Sequence, residues 1–166
     1  MNRRIFIGLL SAAAVGTIVA GKGYAMGWFG SKEDEKKFPV SMSEAEWKEK
    51  LTPEQFRVLR KAGTEPARSS PLDKNYEKGI YHCVGCDTAL FSSEHKFDSG
   101  TGWPSFYQSI NEEVLGYSKD LVLLIPRTEE HCATCGGHLG HVFDDGPQPT
   151  GKRHCINGVT LKFKAA

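Results

Sequence analysis

Arg153-His154-Cys155-Ile156-Asn157-Gly158-Val159-Thr160-Leu161-Lys162-Phe163 is the stretch on which the reading of the chain turns. From Val159 onward apolar and polar residues alternate, the pattern of a strand with one face in a core and one in water. Just before the alternation sits Cys155, with Arg153 and His154 on one side and Asn157 on the other. Nearby positive charge and hydrogen-bond donors favour the thiolate, the reactive form of cysteine. Four of the five cysteines form two pairs and Cys155 is left over, which makes it a candidate nucleophile. The competing reading is a buried, inert strand thiol.

The β pattern extends back from this stretch to Gly79. Ile80–Val84, Val114–Tyr117, Leu121–Ile125, His138–Phe143 and Val159–Phe163 are strand-like runs separated by Gly, Pro, Asn, Asp and Ser clusters. No long amphipathic helix intervenes, which argues against a parallel α/β sheet. The expected fold is mainly β, two antiparallel sheets in an open barrel-like arrangement with short helices at the N-terminal side. Ser43-Glu44-Ala45-Glu46 and Thr52-Pro53-Glu54-Gln55 are capping boxes that open two such helices, the second ending at Gly63. Trp47, Leu51, Phe56 and Leu59 are their core contacts. Thr64 to Lys78 is polar and turn-rich, a loop over the domain.

The 166 residues suit one domain with a core of its own. A formal charge of +1, without a basic run beyond pairs, gives no support for nucleic-acid binding. Residues 1–25 stand apart: Met1-Asn2-Arg3-Arg4 is basic, Ile5 to Ala20 is apolar or small, and Gly23-Tyr24-Ala25 offers a cleavage site. This is the layout of an export signal, and Asn2-Arg3-Arg4-Ile5-Phe6-Ile7 resembles the twin-arginine consensus. The general secretory route and an uncleaved membrane anchor are the alternatives, the apolar run being short for a full span. Loss of Arg3, Arg4 and Lys22 from the 21 basic residues leaves a mildly acidic domain, 18 basic against 20 acidic. Residues 26–40 read as a linker, with a charged run through Lys37, and residues 41–166 as the domain. The expected product is a periplasmic monomer with no stable membrane insertion after cleavage.

Cys83-Val84-Gly85-Cys86 and Cys132-Ala133-Thr134-Cys135 are paired knuckles able to place four thiolates tetrahedrally around one zinc ion. With four protein sulfurs no coordination position is open to substrate, so the zinc would be structural. Two disulfides are the alternative in an exported protein. Asp98-Ser99-Gly100-Thr101-Gly102-Trp103-Pro104-Ser105-Phe106 sets glycines around an aromatic ring followed by proline, a rigid turn presenting an apolar face that suits a methyl or thioether group. A tryptophan capping the core is the plainer reading. In His138-Leu139-Gly140-His141-Val142-Phe143, the two histidines lie three apart and on a regular strand would face opposite sides, unless Gly140 permits a bulge. Histidine suits proton transfer near neutral pH; a metal pair would lack a third ligand.

Together these segments, with Pro149-Thr150-Gly151-Lys152-Arg153 and Cys155 to Phe163, resemble the B-type methionine sulfoxide reductases over roughly Ser43 to Phe163. The resemblance implies thiol-dependent reduction of the R epimer of methionine sulfoxide in oxidised proteins or peptides, and a fold of two antiparallel sheets with a structural zinc away from the active site. It implies Cys155 as nucleophile, ending as a sulfenic acid, with His141 and His138 orienting or protonating the sulfoxide oxygen. Trp103 would hold the methyl group, with Phe143 beside it in the substrate site, while Asn157 and Arg153 position the substrate and favour the thiolate. Cys83, Cys86, Cys132 and Cys135 are the implied zinc ligands. Many members carry a second, resolving cysteine where this chain has Thr101. The chain therefore resembles a single-cysteine form regenerated by an external thiol, a thioredoxin-like domain or another reductant. A non-catalytic zinc module and a cysteine hydrolase are the readings from other classes.

Overall fold

The computed structural model describes residues 38–121 and 126–166. The 1–25 segment, most of the 26–40 linker and residues 122–125 of the strand-like run Leu121–Ile125 lie outside these. Two helices come first, α1 (Glu44–Lys50) and α2 (Pro53–Lys61). Both capping boxes form: Ser43 and Thr52 accept from the N–H of Glu46 and Gln55, whose side chains accept in return from the cap N–H groups. Each such cap is worth about 1 kcal/mol. The second helix ends at Lys61 with Ala62, not Gly63, in the left-handed conformation at φ 50°. Trp47, Leu51, Phe56 and Leu59 are all buried, as their spacing predicts.

The strands are β1 (Gly79–Cys83), β2 (Ala89–Ser92), β3 (Lys96–Phe97), β4 (Ser105–Phe106), β5 (Leu115–Asp120), β6 (Arg127–Cys132), β7 (His138–Phe143), β8 (Arg153–Ile156) and β9 (Leu161–Ala165). They form a three-stranded sheet in the order β2-β1-β9 and a six-stranded sheet in the order β3-β4-β8-β7-β6-β5. Every pairing is antiparallel and neither sheet closes into a barrel. The sheets meet through aromatic rings: Phe91 of the small sheet stacks on Phe106 of the large one at 4.4 Å between centroids, with Tyr81 edge-on to Phe106 at 5.0 Å. All three rings are fully buried.

The stretch from Arg153 to Phe163 turns out to be a crossover. Its first residues form β8 in the large sheet and its last form β9 in the small one. Between them Gly158–Thr160 coil into a short 3-10 turn, where the alternation predicts strand from Val159. The reason is Glu65, far away in sequence, whose carboxylate accepts from the N–H of Gly158 at 2.6 Å and Val159 at 2.8 Å. Those donors are thereby unavailable to a strand partner. Alternation alone carries no sign of that distant acceptor. Helix α2 lies against β7 and this same turn.

Candidate active site and four-cysteine cluster

Cys155 sits inside β8, with Ser105 of β4 opposite it on one side and His141 of β7 on the other. Directly paired residues of antiparallel strands project to the same face, so the register alone brings the thiol and the imidazole together. They share a hollow of about 130 Å³ with Trp103, Phe143 and Asn157, and with Thr64, Arg127 and Gly140. Trp103 arrives on the turn that follows β3. Gly100 and Gly102 take φ of 73° and 90° there, a region that L side chains rarely enter. The indole N–H donates to the Glu65 carbonyl at 3.2 Å, which fixes the ring over the hollow.

The two histidines are on one side because β7 carries an irregularity. His138 pairs with His131 and Gly140 with Glu130, so Leu139 is the extra residue. The rings stand 5.5 Å apart, edge to face. Their roles separate nonetheless. His141 Nε2 bonds Asp120 Oδ2 at 2.8 Å, and Arg127 donates to the same oxygen at 2.6 Å. An ionised carboxylate only accepts, so the His141 proton is on Nε2 and Nδ1 is left as an acceptor. Burial holds His141 below its ordinary range, against the opposing pull of Asp120, so it is neutral at pH 7. His138 does not line the hollow; it is buried in an adjoining cleft, with Nδ1 bonded to Glu129 at 2.8 Å. That bond holds the Glu129 carboxyl down at about 2.

Arg153 also stands at the margin. Its guanidinium lies 4.4 Å over the Phe143 ring and grips Asp145 with two bonds, at 2.8 and 2.9 Å. Asn157 is buried and fully engaged, accepting from the Glu65 N–H and donating to the Leu139 carbonyl, each at 2.9 Å. It lines the hollow as a fastened wall. The thiol itself is governed by burial, which pushes Cys155 above its ordinary 9, while Arg153 and Thr101 pull it down and Glu130 adds to the rise. Arg153 therefore acts on the thiol in the expected direction, but desolvation wins.

The other four cysteines gather as the knuckles predict. Cys83 and Cys86 close the β1–β2 hairpin and Cys132 and Cys135 the β6–β7 hairpin, with all four sulfurs within 4.8 Å of one another. All are free thiols. The closest pairs, Cys83–Cys135 and Cys86–Cys132, are 3.7 and 3.5 Å apart. A tetrahedron with metal–sulfur bonds of about 2.3 Å has edges of about 3.8 Å, so the cluster fits one metal ion. Hydrogen bonding among the sulfurs splits their ionisation, lowering Cys86 and Cys132 and raising Cys83 and Cys135. Thiols this close ionise together only around a cation.

Sequence reasoning missed Glu65, Asp120, Glu129 and Arg127. Arg127 follows an apolar run and Glu65 lies in a featureless polar loop, and neither position carries a local signal. Glu65 meets partners more than ninety residues away, and Arg127 finds Asp120 only across the β5–β6 pairing.

A thiol, an imidazole and an aromatic ring around one hollow, with a separate metal-capable cluster, outline a candidate thiol site on a mainly β fold. Residues 51–165 match the SelR domain. The chain is 53% identical over 127 residues to the peptide methionine sulfoxide reductase MsrB of Leptospira interrogans, covering 76% of this chain and 97% of that protein. It is 55% identical over 125 residues to the MsrB of Methanosarcina barkeri, covering 75% and 88%, and 51% identical over 128 residues to that of Thioalkalivibrio sulfidiphilus, covering 77% and 93%. The chain belongs to this family, the oxidoreductases of the methionine sulfoxide reductase B type.

Burial holds the thiol above its ordinary range, so the thiolate is the minor form at pH 7. Alkylation of Cys155, followed by peptide mass spectrometry, is expected to accelerate about tenfold per unit between roughly pH 6 and 8, because only the thiolate reacts. A plateau reached near neutrality contradicts this.

Proposed function

We propose that the chain reduces the R epimer of methionine sulfoxide in proteins or peptides to methionine, with an external thiol as reductant. The observation that carries this is the convergence of Cys155, Trp103 and His141 on one small hollow. The Trp103 and Phe143 rings seat the methyl group, and the thiol stands on the strand beside them. The sulfur of Cys155 attacks the sulfoxide sulfur. The S–O bond breaks, the oxygen passes to Cys155, and the proton that left the thiol completes a sulfenic acid as methionine departs. Neutral His141, its Nε2–H tied to Asp120, orients a water against the oxygen during this transfer. His138 supports His141 from the adjoining cleft. Arg153, stacked on Phe143, shapes the substrate rim, and Asn157 fixes the wall.

Resolution then needs two external thiols. The first displaces water from the sulfenic acid to give a mixed disulfide, and the second releases Cys155 as a thiol. Thr101 sits beside Cys155 and cannot form an internal disulfide, and the remaining cysteines are committed to the metal cluster. A thioredoxin-like domain or a smaller thiol meets the chemical need.

Cys83, Cys86, Cys132 and Cys135 would hold a structural zinc, which supplies cross-linking and takes no part in the reaction. Residues 1–25 act as an export signal that delivers the 41–166 domain, behind its 26–40 linker, to the periplasm as a monomer.

Epimer-resolved assays are expected to show turnover of the R sulfoxide alone, and its loss in Cys155→Ser with metal content intact. Equal turnover of both epimers, or an active Cys155→Ser, overturns the mechanism. In Cys86→Ser, metal analysis should find zinc lost, and thermal unfolding should fall sharply, since metal binding is folding free energy at such sites. Fractionation of cells expressing the full chain should place a shortened protein, beginning near Met26, outside the inner membrane. Full-length protein retained with the cytoplasm contradicts export.

A further inference from the structure

Three hydroxyls lead away from the Cys155 sulfur in a line. Thr101 Oγ1 is 4.0 Å from Sγ, the outer edge of reach for a hydrogen bond to sulfur. Thr101 Oγ1 and Ser99 Oγ are 2.8 Å apart, and Ser99 Oγ and Ser105 Oγ 2.7 Å. Ser105 Oγ donates in turn to the Trp103 carbonyl at 3.1 Å. Ser105 is fully buried and is the residue of β4 paired with Cys155, so the line ends on the strand beside the one on which it starts.

Each hydroxyl has one proton to give, and this settles the direction of the whole line. Ser105 spends its proton on the Trp103 carbonyl, so Ser99 must donate to Ser105. Ser99 is then left as the acceptor of the Thr101 hydroxyl, and it also accepts the Thr101 N–H at 3.4 Å. Thr101, its proton spent, can only accept from sulfur. That order suits a thiol and opposes a thiolate, which has no proton to give and would face a lone pair. Rotation of the three hydroxyls reverses the line without moving any proton between atoms. Ser105 releases the Trp103 carbonyl and donates to Ser99, Ser99 to Thr101, and Thr101 to sulfur.

Deepening the proposed sulfoxide chemistry, we propose that Thr101, Ser99 and Ser105 form a reversible hydrogen-bond line that accepts from the Cys155 thiol at rest and donates to its anion during attack. Thr101 touches the reacting sulfur and is catalytic; Ser99 and Ser105 position it. The proton lost by the thiol leaves through the open side of the hollow. Of the charged and titratable groups around the sulfur, Arg153 is on its own strand, His141 and Glu130 come from β7 and β6, and Arg127 lines the hollow. Arg153 is already paired with Asp145 and His141 is neutral. The hydroxyl line is the donor whose direction can change with the charge on sulfur. It also joins the thiol to the backbone of Trp103, the residue proposed to seat the substrate.

The test is the pH profile of Cys155 alkylation, read by peptide mass spectrometry, in wild type, Thr101→Val, Thr101→Ser and Ser99→Ala. Thr101→Val keeps the shape of the side chain and removes the hydroxyl. Its alkylation rate near neutral pH is expected to fall about tenfold, one unit of displacement of the profile, with the high-pH rate unchanged. Ser99→Ala, which breaks the line one link further on, should fall about threefold. Thr101→Ser should restore the wild-type profile. An unchanged profile in Thr101→Val, or an equal displacement in Thr101→Ser, overturns the proposal. If Thr101→Val does not fold, as judged by circular dichroism and metal content, an unchanged Ser99→Ala profile overturns it instead. Sulfoxide reduction by wild type is measured in parallel. Displaced profiles with no sulfoxide turnover leave the line standing and remove the sulfoxide reading. Turnover with flat profiles does the reverse.

Discussion

Four sulfurs within 4.8 Å of one another bring together two hairpins that no strand ladder joins among the described residues. The small sheet contributes its β1–β2 hairpin and the large sheet its β6–β7 hairpin, and among the described strands no ladder joins the two sheets. Each hairpin closes its own knuckle through backbone bonds, Asp87 N–H to the Cys83 carbonyl and Gly136 N–H to the Cys132 carbonyl, both at 2.8 Å. Two rigid turns thus face each other across one ion's width. The geometry carries directly into the candidate site, for β7 leaves the second knuckle at His138 and reaches His141 three residues later. A cation held at the cluster would fix where β7 begins and with it the position of the imidazole.

What the chain disclosed in advance follows the range over which each signal acts. The knuckles are local, two residues between cysteines, and their pairing was legible because a tetrahedral site needs four such ligands. The capping boxes, the glycines flanking Trp103 and the bulge after His138 are likewise short-range features, and each is present. The clasp by Glu65 joins positions more than ninety residues apart and takes up the N–H groups of Gly158 and Val159 in the 3-10 turn. Arg127 and Asp120 become a pair only when β5 and β6 align. Strands of two residues, such as β3 and β4, are too short to show alternation at all. Their identity comes from the neighbour they pair with.

The electrostatics of the hollow show the same division. The arginine next to Cys155 suggested a stabilised thiolate, and its charge does act that way. What the sequence did not show is that Asp145 engages one edge of that guanidinium with two bonds and that burial outweighs the remainder. Burial thus favours the protonated sulfur, the form less open to oxidation. Reactivity then depends on what the occupied hollow does to that sulfur.

Glu65 is attached at several points. Its carbonyl holds the indole of Trp103, its N–H holds Asn157, and its carboxylate holds the turn through which the chain passes from one sheet to the other. One residue in an otherwise ordinary loop thus gauges the angle between an aromatic seat and the strand bearing the thiol. Loosening that loop would leave both parts present and merely turn one against the other. What such wear erodes first is alignment: the ring and the sulfur would each survive while the angle between them drifted.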